Sequence, residues 1–133
     1  MEDDSNLGYE KLMVWQRSIE WSCTIINISE ELKTDRKHYR LIEQLESAST
    51  SVAMNIAEGK GRYSKKEFVQ FLFIARGSLY ETVTLLEIFH RQEWLESAIF
   101  RKLKSDATEI AKMLNSLINS IKSPQTRAMS HEL

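Results

Sequence analysis

The fold of this chain is decided by a stretch near its middle, NIAEGKGRYSKKE (residues 55–67). Its first residues complete an apolar helical stripe, Gly59 stands where a helix C-terminus favours a left-handed residue, and Gly61 follows in the loop. Ser64 and Glu67 then form a capping box, in which the hydroxyl accepts from the Glu67 amide and the carboxylate reaches back. The stretch therefore predicts two helices joined by a short, basic, glycine-containing loop.

Outward from this loop, apolar residues recur at spacings of three and four, which predicts four helices in all. The predicted bounds are about Tyr9–Leu32, Lys37–Glu58, Ser64–His90 and Glu96–Lys122. The first helix would pack through Leu12, Trp15, Ile19, Ser22 and Ile26, with a second stripe of Ile25, Ile28 and Leu32 beside it. The fourth carries a heptad seam of Leu103, Ala107, Ile110, Leu114, Leu117 and Ile121. Before the second helix, Thr34-Asp35 supplies a short polar cap.

Long helices with short connections predict an all-α, antiparallel, up-down-up-down bundle over residues 9–122. Residues 1–8 and 123–133 are expected to be flexible tails, the first of them acidic. Helices 1 and 3 carry more apolar residues than one inward stripe needs, which indicates a subunit interface. Gly77-Ser78 would let a neighbouring helix approach closely.

Composition places the chain among ordinary globular proteins that work in a reducing compartment. Its 133 residues are 42% hydrophobic and 28% charged, enough for one domain with a substantial core. The single cysteine, Cys23, excludes an intrachain disulfide and is predicted to be a small buried hydrophobe. The acidic N-terminus is unlike a secretory signal, and the longest apolar run, residues 71–75, is too short to span a bilayer. A cytoplasmic location is expected.

The net charge is −1, yet the charges are unevenly distributed along the chain. Residues 1–35 hold three basic and eight acidic side chains, whereas residues 36–67 hold seven basic and four acidic ones. Candidate nucleic-acid contacts are Arg36, Lys37 and Arg40 at one end of helix 2, Lys60, Arg62, Lys65 and Lys66 at the other, and Arg101, Lys102 and Lys104 at the start of helix 4. The first and third groups are predicted to share an end. These cations fit either electrostatic RNA binding or a solvated surface.

A polar stripe on helix 2 faces the predicted hairpin partner. It consists of Gln44, Ser51, Asn55 and Glu58, with Ser78 and Glu81 opposite on helix 3. A hairpin centred near residue 61 puts Gln44 level with residues 78–81 and Ser51 level with Leu72. An interhelical hydrogen-bond network that fixes register is favoured over a ligand or ion site inside the bundle, because buried polar groups need partners.

No catalytic, cofactor or metal site is predicted. Glu87 and His90 have the Glu-x-x-His spacing of di-iron bundles, but such a site needs a second copy and two further glutamates. The loop at residues 59–62 lacks the spacing of a phosphate-binding loop, and no strand precedes it. No serine, cysteine or histidine has an evident nucleophile–base partner. The chain is therefore not expected to be an enzyme.

An ordered set of residues also carries a family resemblance across residues 9–122. The chain resembles the four-helix-bundle proteins encoded within intervening sequences of bacterial 23S ribosomal RNA genes, the S23-like family. The matching positions are Tyr9-Glu10-Lys11-Leu12, Val14-Trp15-Gln16, Gln44-Leu45, residues 51–59, Gly61-Arg62, Glu67-Phe68, Phe71-Leu72, residues 74–78, Glu81, Met113-Leu114-Asn115 and Leu117-Ile118.

The resemblance implies a homopentameric barrel of four-helix bundles without a settled biochemical activity. It also implies kinship with the accessory variability protein of diversity-generating retroelements, a more basic barrel that binds nucleic acid and a reverse transcriptase. This chain departs from the family pattern in two places. Glu46-Ser47 stands where the family carries arginines, and Leu32-Lys33-Thr34 replaces a Phe-Pro before helix 2.

Two functional hypotheses follow from these expectations. The first is a non-enzymatic, homo-oligomeric scaffold that associates with RNA or with a nucleic-acid-processing protein. The second is a protein–protein adaptor without direct nucleic-acid contact. Neither hypothesis involves a membrane or a small-molecule substrate.

Overall fold

The computed structural model describes residues 7–34 and 38–123 of the chain. Within these residues it has four α-helices and no strand: α1 (Met13–Ser29), α2 (Tyr39–Lys60), α3 (Lys65–Arg91) and α4 (Ser97–Lys122). A short 3-10 helix, Tyr9–Lys11, precedes α1. The all-α prediction is confirmed. The predicted tails lie mostly outside the described residues, and the predicted cap residue Asp35 lies wholly outside them.

Helix α1 is shorter than predicted, and its buried face differs in part from the predicted one. Leu12 adopts an extended conformation (ψ 121°) between the 3-10 helix and α1, so the α-helix begins only at Met13. The buried residues of α1 are Val14, Ser18, Trp21, Ser22, Ile25 and Ser29. Of the predicted leading stripe, Ser22 is buried and Leu12 and Trp15 pack partly against the core, whereas Ile19 and Ile26 do not pack against it.

Small hydroxyl residues hold α1 against α2 because their side chains pair with acceptors on the neighbouring helix. Ser22 Oγ donates to the Ser49 carbonyl at 2.8 Å, and Ser29 Oγ donates to the Glu46 carboxylate at 2.8 Å. Glu46, one of the departures from the family pattern, therefore ties two helices together. The pairs also show that α1 and α2 run antiparallel, since later residues of α1 meet earlier residues of α2.

The α2–α3 connection has the predicted place but a different role for Gly59. This glycine is buried inside α2, which continues to Lys60, and no left-handed residue ends the helix. A Cβ built on Gly59 would lie 2.6 Å from the Phe71 Cβ, so the glycine permits close packing of α2 on α3. Gly61 follows as the C-cap with φ −82°. The left-handed prediction for Gly59 is wrong, because space between helices selects the glycine.

The start of α3 is the predicted capping box. Ser64 Oγ accepts from the Glu67 amide at 3.1 Å and donates to the Glu67 carboxylate at 3.2 Å. At the start of α2 the N-cap position is His38, whose own side chain makes no cap hydrogen bond, and the predicted cap residue Asp35 lies outside the described residues. Within this single chain nothing lies within 4 Å of a Cβ built on Gly77, so the predicted approach of a neighbouring subunit's helix there stays a prediction.

The four helices enclose one apolar core and lie around it in the order α1, α2, α3, α4. Trp21 Nε1 on α1 donates to the Leu103 carbonyl on α4 at 3.1 Å, and Arg76 on α3 donates to Asn115 on α4 at 2.9 Å. On α4 the buried seam is Phe100, Leu103, Ala107, Ile110, Leu114 and Ile118. Leu117 and Ile121, predicted for the seam, pack only partly against the core. None of the helices in the described residues is long and apolar enough to cross a membrane.

Candidate nucleic-acid interface

The four cations predicted around the α2–α3 loop all lie exposed at one end of the bundle. They are Lys60, Arg62, Lys65 and Lys66. Arg62 is held in place, since its guanidinium donates to the Glu58 carboxylate at 2.7 Å and lies 4.6 Å from the Phe71 ring centroid. Lys60 Nζ lies 5.9 Å from the Phe68 ring centroid. Lys65 and Lys66 make no ion pair with any described residue, so their charges are available to a polyanion.

The backbone of this loop is ordered by hydrogen bonds on both sides of its tip. The Gly61 amide donates to the Ala57 carbonyl at 3.2 Å, and the Arg62 amide donates to the Gly59 carbonyl at 3.0 Å. After the tip, the Ser64 cap fixes the first turn of α3. The side chain of Tyr63, between these two anchored segments, is 104% exposed. The loop therefore presents one aromatic ring among four cations.

The cations predicted at the opposite end do not form a single patch. Arg40 shares that end with the start of α4, because His38 beside it lies 4.4 Å from Trp94, ring centroid to ring centroid. Lys102 is turned toward α1 and paired with Asp106 at 3.0 Å. Lys104 lies on the α3 side, 5.7 Å from the Phe100 ring centroid. Arg36 and Lys37, also predicted there, lie outside the described residues.

Five of the six predicted polar residues meet along the outer α2–α3 seam. Gln44 Nε2 donates to Glu81 Oε2 at 3.3 Å, the Ser51 and Ser78 hydroxyls lie 2.9 Å apart, and Asn55 donates to both the carbonyl and the hydroxyl of Ser51 at 2.8 Å. Gln44 and Glu81 are exposed and the others half-buried, so the seam faces outward. The sixth residue, Glu58, pairs with Arg62 instead. Ser51 meets Ser78 rather than the predicted Leu72, which lies six residues earlier on α3.

Glu87 and His90, which have the Glu-x-x-His spacing, each contact another side chain. Glu87 pairs with Arg91 at 3.1 Å, and His90 Nε2 lies 2.8 Å from Ser97 Oγ. Within residues 7–34 and 38–123, no group of three or more acidic, histidine or cysteine side chains is placed to hold a metal ion. The His90–Ser97 contact was not anticipated from sequence. The His90 ring is stacked on Phe100 at 4.7 Å between ring centroids, and its Nδ1 has no hydrogen-bond partner among the described residues.

Two apolar grooves run along opposite sides of the bundle. The α1/α2 groove is lined by Tyr9, Trp15, Ile19, Cys23, Ile26 and Met54, among others. The α3/α4 groove, about 310 Å³ in volume, is lined by Tyr80, Val83, Thr84, Lys104, Thr108 and Ala111, among others. Cys23, predicted to be buried, is exposed in the first groove because the outer stripe of α1 does not face the core.

Sequence reasoning singled out the loop cations but passed over Tyr63 and the position of Cys23. An aromatic residue between Arg62 and Ser64, in a loop too short and polar to bury it, was the available signal for Tyr63. For Cys23 the apolar neighbours were misleading, because they line an outer groove rather than the core.

Comparisons with known proteins agree on one family. The model described as 23S rRNA-intervening sequence protein matches residues 10–116. Among solved structures, the chain is similar to a protein with unknown function from the S23 ribosomal protein family of Bacteroides thetaiotaomicron VPI-5482, at 30% sequence identity and a TM-score of 0.74. That similarity covers 80% of this chain and 98% of the other. None of the curated proteins that were compared matches the chain.

Proposed function

This chain belongs to the family of 23S rRNA-intervening sequence proteins, and from that membership we propose that it is a non-enzymatic, ring-forming scaffold that associates with RNA or a nucleoprotein complex in the cytoplasm. The observation that carries the RNA part is the α2–α3 loop, where four exposed cations lie at one end of the bundle. Such a cluster suits contacts with backbone phosphates, which attract cations whatever the base sequence.

The two apolar grooves support assembly into a ring. They lie on opposite sides of the bundle and are unlike each other, because one has Cys23 and Met54 on α1 and α2 and the other has Tyr80 and Lys104 on α3 and α4. A contact between unlike surfaces of identical chains is head-to-tail, and it gives a closed ring when the rotation between neighbours closes. The family resemblance sets the expected number of copies at five. In such a ring, each copy would present its α2–α3 loop on the same face.

The assembly is tested by the mass of the protein in solution. We expect native mass spectrometry or light scattering to give about 78 kDa, five times the chain mass of 15.5 kDa. Met54→Glu places a charge on a side chain that is 66% exposed in the α1/α2 groove, so it should shift the protein toward monomer without unfolding it. Ser105→Glu, exposed on α4 and lining neither groove, is the matched control. A monomeric wild-type protein at micromolar concentration would refute the ring.

The RNA association is tested by mobility shift or fluorescence anisotropy across a salt series. Replacing Lys60, Lys65 and Lys66 with alanine should weaken binding about tenfold or more at 0.1 M salt, because each lost phosphate contact reduces counterion release. The slope of log K against log salt should become shallower by about 2 for each loop in contact with the strand.

The matched control for the loop removes three charges from the other end of the bundle, with Arg40, Arg101 and Lys102 replaced by alanine. We expect this variant to bind RNA nearly as the wild type does. Equal losses in the two triple variants would show that the loop is not the contact. No shift of ribosomal RNA fragments by wild-type protein at low salt would reject RNA association altogether.

A protein–protein adaptor is the second candidate, and one observation favours it. Phe73, Ile74 and Ile88 on α3, which do not line the α3/α4 groove, are each at least 39% exposed. Apolar side chains grouped along one helix face are typical of a docking surface. If the wild type is oligomeric but binds no RNA, this face becomes the first place to seek a partner protein.

A further inference from the structure

Resting on the proposed RNA association, we infer that the α2–α3 loop recognises single-stranded rather than duplex RNA, by stacking an unpaired base on the ring of Tyr63. The starting observation is that Tyr63 is the most exposed large apolar side chain in the described part of the chain, at 104%. The neighbouring rings of Phe68 and Phe71 are covered by Lys60 and Arg62. Among the rings described at this end, Tyr63 is the one that no described residue covers.

A fully exposed tyrosine contributes little to folding, because its apolar area stays in water in the folded and unfolded states alike. Its position is nevertheless well defined. Arg62, directly before it, is held by Glu58 and Phe71, and Ser64, directly after it, caps α3. A ring presented from an ordered loop loses less entropy on binding than one on a floppy segment.

The charges around the ring determine which partner fits. Lys60, Lys65 and Lys66 are all exposed and lie within three residues of Tyr63 in the sequence, while Arg62 is neutralised by Glu58. An aromatic platform flanked by cations is the arrangement that binds single strands, because bases stack on the ring while phosphates contact the cations. Paired bases in duplex RNA are stacked on one another, so duplexes are bound through phosphates and 2′-hydroxyls instead.

A membrane surface or an acidic protein would also attract the lysines, but the loop fits each of these partners less well than it fits single-stranded RNA. Interfacial membrane segments carry several apolar side chains along one helix face, whereas Tyr63 is the sole exposed large apolar residue between Lys60 and Glu67. An acidic protein surface would engage the lysines without using the ring. Stacking on a base uses both the charge and the exposed ring.

The experiment compares wild-type protein with Tyr63→Ala and Tyr63→Phe, using a ten-nucleotide RNA that contains 2-aminopurine and the same strand in a duplex. We expect the single strand to bind about tenfold more tightly than the duplex, since unpaired bases add stacking. Tyr63→Ala should weaken single-strand binding about 5- to 100-fold and leave duplex binding unchanged. Tyr63→Phe should bind like the wild type, because stacking needs only the ring. Quenching of 2-aminopurine on binding should persist with Tyr63→Phe and disappear with Tyr63→Ala.

The outcomes separate this inference from the proposed function. Wild-type binding that Tyr63→Ala leaves unchanged would overturn the stacking inference and leave RNA association standing. Equal weakening by Tyr63→Phe and Tyr63→Ala would show a contact through the hydroxyl, which also overturns stacking. A wild type that binds neither RNA would reject both proposals. Tyr63-dependent binding to phosphatidylserine vesicles, without RNA binding, would assign the loop to a membrane surface instead. Thermal unfolding should be the same for all three proteins because the ring makes no core contact.

Discussion

Replacing Trp21 with alanine is expected to lower the free energy of unfolding by about 3–5 kcal/mol. The indole is 3% exposed, and its Nε1 donates to the Leu103 carbonyl, so it fills the core and bridges α1 to α4. Truncation leaves a cavity that the surrounding long helices can close only in part. Since small domains are stable by about 5–15 kcal/mol in total, this one change would remove a large share. Urea unfolding followed by circular dichroism at fixed protein concentration measures the loss.

Trp21→Phe is the matched control for this loss. It keeps most of the ring volume and deletes the N–H donor. The Leu103 carbonyl lies inside α4, where it can still accept its intrahelical hydrogen bond, so the substitution does not leave it unpaired. We expect it to lose about 1–2 kcal/mol, the scale of one hydrogen bond with a small packing defect. If the phenylalanine and alanine variants were equally unstable, the hydrogen bond rather than the core volume would be what Trp21 supplies.

Substitution at Gly59 is expected to have the second largest effect. Alanine usually stabilises a helix interior relative to glycine by about 1 kcal/mol. Here the added Cβ would lie 2.6 Å from the Phe71 Cβ, an atom fixed to the α3 backbone, so the helices must separate. Overpacking of this kind costs about 1–3 kcal/mol. We therefore expect a net loss for Gly59→Ala and a loss of about 3 kcal/mol for Gly59→Leu, both measured by the same urea titration.

Gly61→Ala provides the comparison two residues away. A Cβ there meets the Glu58 carbonyl oxygen at 3.7 Å, an ordinary contact, and φ is −82°, which alanine adopts readily. Its stability should stay within about 0.5 kcal/mol of wild type. A stabilised Gly59→Ala protein would mean that α2 and α3 are not held at the close separation that the structure gives.

Sequence periodicity and capping chemistry were sufficient to predict the four helices, because both signals are local. The start of α3 was predicted from Ser64 and Glu67, whose reciprocal contact involves only one helical turn. The heptad seam on α4 was predicted up to Leu114 and then failed. A straight helix has 3.6 residues per turn, so the buried line drifts from a strict heptad and reaches Ile118 instead of Leu117.

The failures on α1 and at Gly59 arise from tertiary contacts that no local pattern encodes. Hydropathy favoured Ile19 over Ser18, yet Ser18 is fully buried while Ile19 is 37% exposed. A serine can enter a tight helix contact because it is small, and Gly59 shows the same preference more strongly. Counting apolar residues gives an amphipathic face, but it does not distinguish the face toward the core from one toward an outer groove.

Of the candidate site, the sequence predicted that Lys60, Arg62, Lys65 and Lys66 lie together at one end of the bundle, since the helix bounds and the short loop fix those positions. Gln44 was placed level with Glu81 for the same reason, and the structure brings the two within 3.3 Å. The partner of Ser51 was missed, because Ser78 lies six residues, more than one helical turn, beyond the predicted Leu72. The direction of these surface side chains could not be predicted from the sequence. The structure was needed to show that Lys102 is turned toward α1 and Lys104 toward α3.

The exposed thiol of Cys23 gives this protein a built-in attachment point for spectroscopy. It is the only cysteine in the sequence and it opens into the α1/α2 groove, so a maleimide dye would label each chain once and at a known place. Slow labelling that speeds up on dilution would follow dissociation of the copies directly.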